Sequence, residues 1–212
     1  MRSRFDRQLK YLKQEMTEMG CECESIIALS VKALLEGNVD SAKKATEQGY
    51  IIDDMEHEIE SVCLKLLLEQ QPVATDLRMV TAAMKIITDM ERIGDQAEDI
   101  SDIVIKMNGK TGSECHDIRS MAQTVSQMVV DSVEAYINSD LALAESVKNR
   151  DDVVDDCFLS IKKRLVKMIG ENADEGEYAL NLLMVAKYFE RIADHAVNIS
   201  EWVEYSVTGV LK

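Results

Sequence analysis

Apolar residues recur at helical spacing along most of the chain. Ile86, Met90, Ile93, Ala97, Ile100 and Val104 follow the i, i+3, i+4 rule, which gathers them on one helical face. Phe189, Ile192, Ala196, Ile199 and Val203 repeat that stripe near the C-terminus. The stripes are interrupted at Gly37-Asn38, Gln70-Gln71-Pro72, Asn138-Ser139-Asp140 and Gly170-Glu171-Asn172. The strongest break is Asn108-Gly109-Lys110-Thr111-Gly112-Ser113, with two glycines among small polar residues. Between the breaks the pattern predicts six helices of roughly 25 to 35 residues, each ~40 to 50 Å long. Short connections make neighbours antiparallel, so the expected fold is all-α, two tandem up-down-up three-helix bundles. The expected boundaries are 1–108 for the first unit, 109–113 for a linker and 114–212 for the second.

The two halves repeat one another. Glu91-Arg92-Ile93-Gly94-Asp95 returns 99 positions later as Glu190-Arg191-Ile192-Ala193-Asp194, and the match runs on through Ala97/Ala196 and Ile100/Ile199. Asp53-Asp54 corresponds to Asp155-Asp156 at a separation of 102, with Ile51-Ile52 matching Val153-Val154. Repetition of whole phrases at a nearly fixed separation is the mark of duplicated architecture.

What is duplicated includes carboxylates. At 100° per residue Glu91, Asp95 and Asp99 fall away from the apolar stripe, and Glu190, Asp194 and Asn198 do the same in the second copy. If the second and third helices turn about Pro72, Asp54 and Glu91 reach the same level; about Asn172, so do Asp155 and Glu190. Asp54/Glu58 and Asp152/Asp156 are themselves i, i+4 acidic pairs. Two helices then offer four or more oxygens, on the outside of each bundle or in a groove between helices. Oxygen-only ligands suit Mg²⁺, Mn²⁺, Ca²⁺ or iron. Acidic helix faces are also simply solvated, but stacked like charges oppose helix formation, and two equivalent stacks favour a cation site. Arg92 and Arg191 are expected to pair with neighbouring acids. His195 points about 100° away from Asp194, and His57 and His116 have no ligand-like company. Met55, Met84, Met90, Met128 and Met184 fall at core-like positions. Thr75-Asp76-Leu77-Arg78 reads as a helix start with an acid at its positive end.

Composition narrows the function classes. Among 212 residues 46% are hydrophobic but only 5% aromatic, and a single Pro leaves long helices unbroken. A net charge of −15 repels nucleic acid. Five scattered cysteines read as reduced thiols of a cytosolic protein. The charged start MRSRFDRQLKYL lacks a signal-peptide core, and no apolar run approaches the ~20 residues of a membrane span. A membrane is therefore met only through partners. No Ser/His/Asp set, phosphate-cradling Gly loop or HExxH motif is present. A carboxylate-bridged metal enzyme and a purely structural helical scaffold stand as the alternatives to a metal-binding regulator.

Gln71-Pro72-Val73-Ala74-Thr75-Asp76-Leu77-Arg78, the phrase running from Glu91 to Ala97, and that from Glu190 to Ile199 together resemble the PhoU family of phosphate-uptake regulators. The likeness spans the whole chain. It implies a cytoplasmic, non-catalytic, dimeric adaptor that restrains a Pst-type phosphate ABC transporter and connects it to a phosphate-sensing histidine kinase. It also implies iron, Mg or Mn held at Glu91, Asp95 and Asp99 and at Glu190, Asp194 and Asn198. Asp99 stands where the family often carries Asn, Gln96 where it often carries His, and Ala193 replaces Gly94 of the first copy, so the first motif is the more acidic.

Overall fold

The computed structural model describes residues 2–70, 72 and 74–210, with Arg2, Ser3 and Gln70 described by their backbone alone. Gln71 and Val73 of the Pro72 break lie outside the described residues. Six helices follow one another: α1 (Arg2–Glu36), α2 (Val39–Gln70), α3 (Thr75–Lys106), α4 (Cys115–Asn138), α5 (Leu141–Glu171) and α6 (Gly176–Thr208). A 3₁₀ turn, Ala173–Glu175, joins the last two. The described residues contain no strand.

The turns have local causes. Ser139 closes α4 in the left-handed region (φ 55°), after which the Asp140 side chain accepts from the Ala142 and Leu143 N–H groups at 2.9 and 3.0 Å. Those are two of the donors that a helix start leaves unpaired. Asn172 does the same for the 3₁₀ turn, accepting from Asp174 N–H at 3.1 Å.

Each bundle packs its own three helices, and the bundles are joined along α3–α6 and α1–α4. Helix α2 touches only α1 and α3 among the helices, and α5 only α4 and α6, so these two form the outer flanks of the described body. The buried stripes supply the driving force, each fully buried Leu, Ile or Phe contributing about 1.5–3 kcal/mol. Cross-ties fix the halves: Lys13 Nζ donates to Ile137 O at 2.6 Å, and Tyr136 Oη donates to Met79 O at 2.8 Å. All five cysteines are free thiols, and burial holds Cys23 and Cys63 protonated by pushing both up to about 12. Met90 and Met128 are buried, and Met55 and Met84 pack against the core. Met184 departs from expectation: it is 43% exposed, because its helical phase places it beside the α6 stripe rather than on it. No helix of the described residues is long and apolar enough to cross a membrane.

The 109–113 segment lies against the α1–α2 turn. Gly37 and Gly109 both have positive φ (63° and 70°), and each backbone carbonyl occupies the space where the other residue's Cβ would stand, at 2.3 Å. Thr111 Oγ1 adds a hydrogen bond to Leu35 O at 3.4 Å. Replacing Gly109 with Ala is expected to destabilise the protein by about 1–3 kcal/mol, from the left-handed backbone and the displaced turn together. Urea unfolding followed by circular dichroism measures this; an unchanged midpoint would show that the two turns yield freely.

Candidate metal centre

The groove between α2 and α3 is where carboxylates converge. Ile93 and Ala97 bury the inner face of α3, and Ile52 and Ile59 that of α2. The helices approach closely at Gly94, whose missing Cβ would lie 3.2 Å from Ile52 Cγ2 and Cδ1. Asp53 follows Ile52, and Glu91 and Asp95 bracket Gly94, so the close approach carries the three acids together. Their oxygens lie within 4.8 Å of one another, and all three side chains are half-buried. Arg92 sits on the outer flank, its Nε 3.2 Å from Glu91 and its Nη1 2.7 Å from Asp95.

At the level reckoned from Pro72, the structure brings Asp53 rather than its neighbour Asp54 beside Glu91 and Asp95. Asp54 and Glu58 are exposed, about 200° and 240° around α2 from buried Ile52, whereas Asp53 and Glu56 flank that stripe. Distance from the turn fixes height and says nothing about azimuth; laying out the Ile52–Ile59 stripe would have selected Asp53. The same holds in the second half. Asp152 and Asp156 are exposed on the far side of α5 from buried Val154. Asp151 and Asp155 are the acids of α5 that act on Asp194 or Glu190 of α6. Glu190 is ion-paired with Lys187.

The third member of each motif is turned elsewhere. Asn198 Nδ2 donates to Asp89 Oδ1 at 3.2 Å, and His195 Nδ1 lies 2.8 Å from the same oxygen, both across the α3–α6 contact. Asp99 is hydrogen-bonded by Tyr188 of α6. These pairs are one contact used twice: Asp89 and Tyr188 are 99 positions apart, and so are Asp99 and Asn198. Helices α3 and α6 therefore meet antiparallel and exchange under the internal repeat. Arg191, freed from the role that Arg92 plays, stacks 5.8 Å from the Tyr188 ring.

Crowded negative charge shows in the acidities. Burial and then the Asp95 carboxylate hold Asp53 and Glu91 above their ordinary values, with Arg92 opposing. Glu98, absent from the expected ligands, rises to about 7 through burial and then Asp53 and Asp95. It reaches over Gly49 of α2, where a Cβ would lie 2.4 Å from its carboxyl. Asp151 stands 102 positions after Gly49 and Val197 stands 99 after Glu98, so each half places one acid here from opposite helices. Burial and then Asp194 raise Asp151 to about 6, and its Oδ1 accepts no hydrogen bond from the described residues. Asp194 is raised by burial and then by Glu190. Both grooves thus hold carboxylates at an electrostatic cost that a cation would relieve.

Comparison with known proteins gives a consistent picture. The family model described as PhoU domain matches residues 16–104 and again 118–203. The chain is 35% identical to a protein of Clostridium acetobutylicum (97% of this chain, 94% of that one) and 37% identical to one of Synechocystis sp. (98% and 93%). Both relatives are named phosphate-specific transport system accessory protein PhoU homolog. The crystal structure of PhoU from Pseudomonas aeruginosa superposes with a TM-score of 0.92 at 30% identity, covering 97% of this chain and all of that one.

Glu98 yields a pH prediction. Its folded value of about 7 exceeds the ordinary 4.5, so between these the folded state holds more protons and stability falls as pH rises, fully so above 7. Glu98→Gln is expected to raise the urea midpoint in chelator at pH 8, with the gain shrinking toward zero as pH falls to 4.5. An equal gain at both pH values would assign the effect to packing rather than to charge.

Proposed function

The chain belongs to the PhoU family, and on that premise we propose that it is a metal-bearing accessory protein that restrains a phosphate-specific transport system. The observation that carries this reading is the family match along both repeats, with the shared acidic phrase in each lying at a helix groove. The protein acts in the cytoplasm by binding rather than by turnover, against the phosphate ABC transporter and a phosphate-sensing histidine kinase.

Asp53, Glu91 and Asp95 fit a hard cation, since they offer only oxygens and already converge. Bound there, a divalent or trivalent ion (iron, Mg or Mn) supplies the positive charge that three crowded carboxylates lack. The side chains do the rest. Asp53 brings an α2 carboxylate to the motif helix, Arg92 compensates Glu91 and Asp95 from the solvent side, and Ile52 against Gly94 holds the spacing. The surface charge that a partner meets then depends on occupancy of the groove.

Deleting the gene is expected to raise phosphate uptake or derepress phosphate-responsive genes, with the parent sequence restoring control; uptake unchanged by deletion sinks the regulatory reading. Elemental analysis of untagged protein is expected to find metal in the parent and less in Glu91→Gln/Asp95→Asn. Metal absent from the parent even after reloading sinks the cation reading alone.

A further inference from the structure

Along the seam between α1 and α4 the internal repeat lays down a two-fold apolar floor. Gly20, Ala28, Val31 and Leu35 of α1 stand 102 positions before Ala122, Val130, Val133 and Ile137 of α4. The helices come closest where Gly20 faces Val133: a Cβ on Gly20 would lie 3.1 Å from Val133 Cγ1. Small residues there and at Ala28 and Ala122 leave the floor concave, and two clefts open along it. One, of about 220 Å³, runs over Gly20, Val130, Val133 and Ile137; the other, of about 440 Å³, runs over Ile27, Val31, Leu35 and Ala122. Val31, Leu35, Val130 and Ile137 are half-buried and Ala28 is exposed. From Thr17 to Glu36 the clefts extend about 30 Å along α1, since each helical residue adds about 1.5 Å.

The charges on the rim do not repeat. Glu24 and Glu134 border the first cleft; Lys32 and Arg119, with Glu36 at the outer end, border the second. Lys32 and Glu134 are equivalent positions of opposite charge, while Arg119 and Glu24 correspond to Thr17 and Ser126. A floor with matching ends thus carries an acidic rim over one half and a mainly basic rim over the other. All five charges are exposed, and none has an ion-pair partner among the described residues.

Such a floor selects a helix. An extended chain laid on it would press backbone N–H and C=O groups against apolar side chains without partners, whereas a helix pairs its own. An apolar stripe at i, i+3, i+4 spacing fits between two helices as a ridge fits a groove. The rim then fixes direction. A helix is itself most stable with acids in its first turn and bases in its last. Laid antiparallel to α1, that helix brings its acids to Lys32 and Arg119 and its bases to Glu24 and Glu134. We infer that the α1–α4 seam is the docking groove for one amphipathic α-helix of a partner protein, acidic at its start and basic at its end. This surface is separate from the carboxylate grooves, and the inference stands whether or not those bind metal.

Two fluorescein-labelled synthetic helices of about 20 residues, the length of the groove, test this. Both carry one Leu/Ala stripe; the first has Glu in its first turn and Lys in its last, and the second has these charges exchanged. Fluorescence anisotropy with the full-length protein is expected to show saturable binding of the first and roughly tenfold weaker binding of the second. Glu24→Lys/Lys32→Glu/Arg119→Glu/Glu134→Lys is expected to reverse that preference, and Ala28→Trp, which fills the floor from an exposed position, to abolish binding of both. Circular dichroism verifies that each variant is folded. Cys21 reads occupancy directly, being an exposed thiol on the first cleft, and its alkylation by N-ethylmaleimide is expected to be blocked when the first peptide saturates. Equal affinity for the two peptides, an unreversed preference in the folded charge-exchange variant, or binding that survives Ala28→Trp overturns the inference. So does Cys21 alkylation indifferent to the peptide, or no saturable binding at all. Cys21 protected in the protein alone, with a doubled mass in sedimentation equilibrium that Ala28→Trp abolishes, also overturns it and assigns the face to a second copy of this chain.

Discussion

Helix α2 meets α3 at a glycine, and the acidic groove depends on that contact. Ile52 is fully buried and fills the space left by the absent side chain of Gly94, and the acids adjoining these two residues have no choice but to converge. Apolar packing therefore sets the spacing of the charges, and the charges resist it. The second half solves the same contact differently. Ala193 replaces Gly94 and Val154 replaces Ile52, a methyl gained on one helix against one lost on the other. Both residues of that pair are fully buried, so the volume is conserved while the surrounding charge has changed.

Much of this was legible from the sequence because helical periodicity is a strong local signal. Ile86 to Val104 and Phe189 to Val203 mark the inner faces of α3 and α6, and the glycines and the lone proline mark the connections. The level of the first groove also followed, since Pro72 fixes how far each residue stands from the turn. What failed was azimuth. Asp54 and Asp53 are adjacent in the chain and 100° apart in space, and only the buried stripe of α2 distinguishes them.

The contact between halves was illegible for a deeper reason. Every helix here carries an apolar stripe, and periodicity does not say which stripe meets which. Asp99 and Asn198 look like continuations of their motifs, one turn beyond Asp95 and Asp194, until α3 and α6 are brought together. Their side chains then belong to the row formed with Asp89, His195 and Tyr188. The repeat predicts that such contacts occur in symmetric pairs, which the Asn198–Asp89 and Tyr188–Asp99 contacts display. It does not predict which residues take part. Met184 teaches the same lesson on a smaller scale, being apolar in a helix without being inside.

The meeting of Gly37 and Gly109 has a consequence for how this chain can vary. Each carbonyl fills the other's side-chain volume, so neither position gains a methyl group unless its partner retreats. Two residues 72 positions apart in the sequence are in this respect a single heritable unit. Substitutions there are epistatic rather than additive, and a descendant that lengthens one turn must reshape the other in the same lineage.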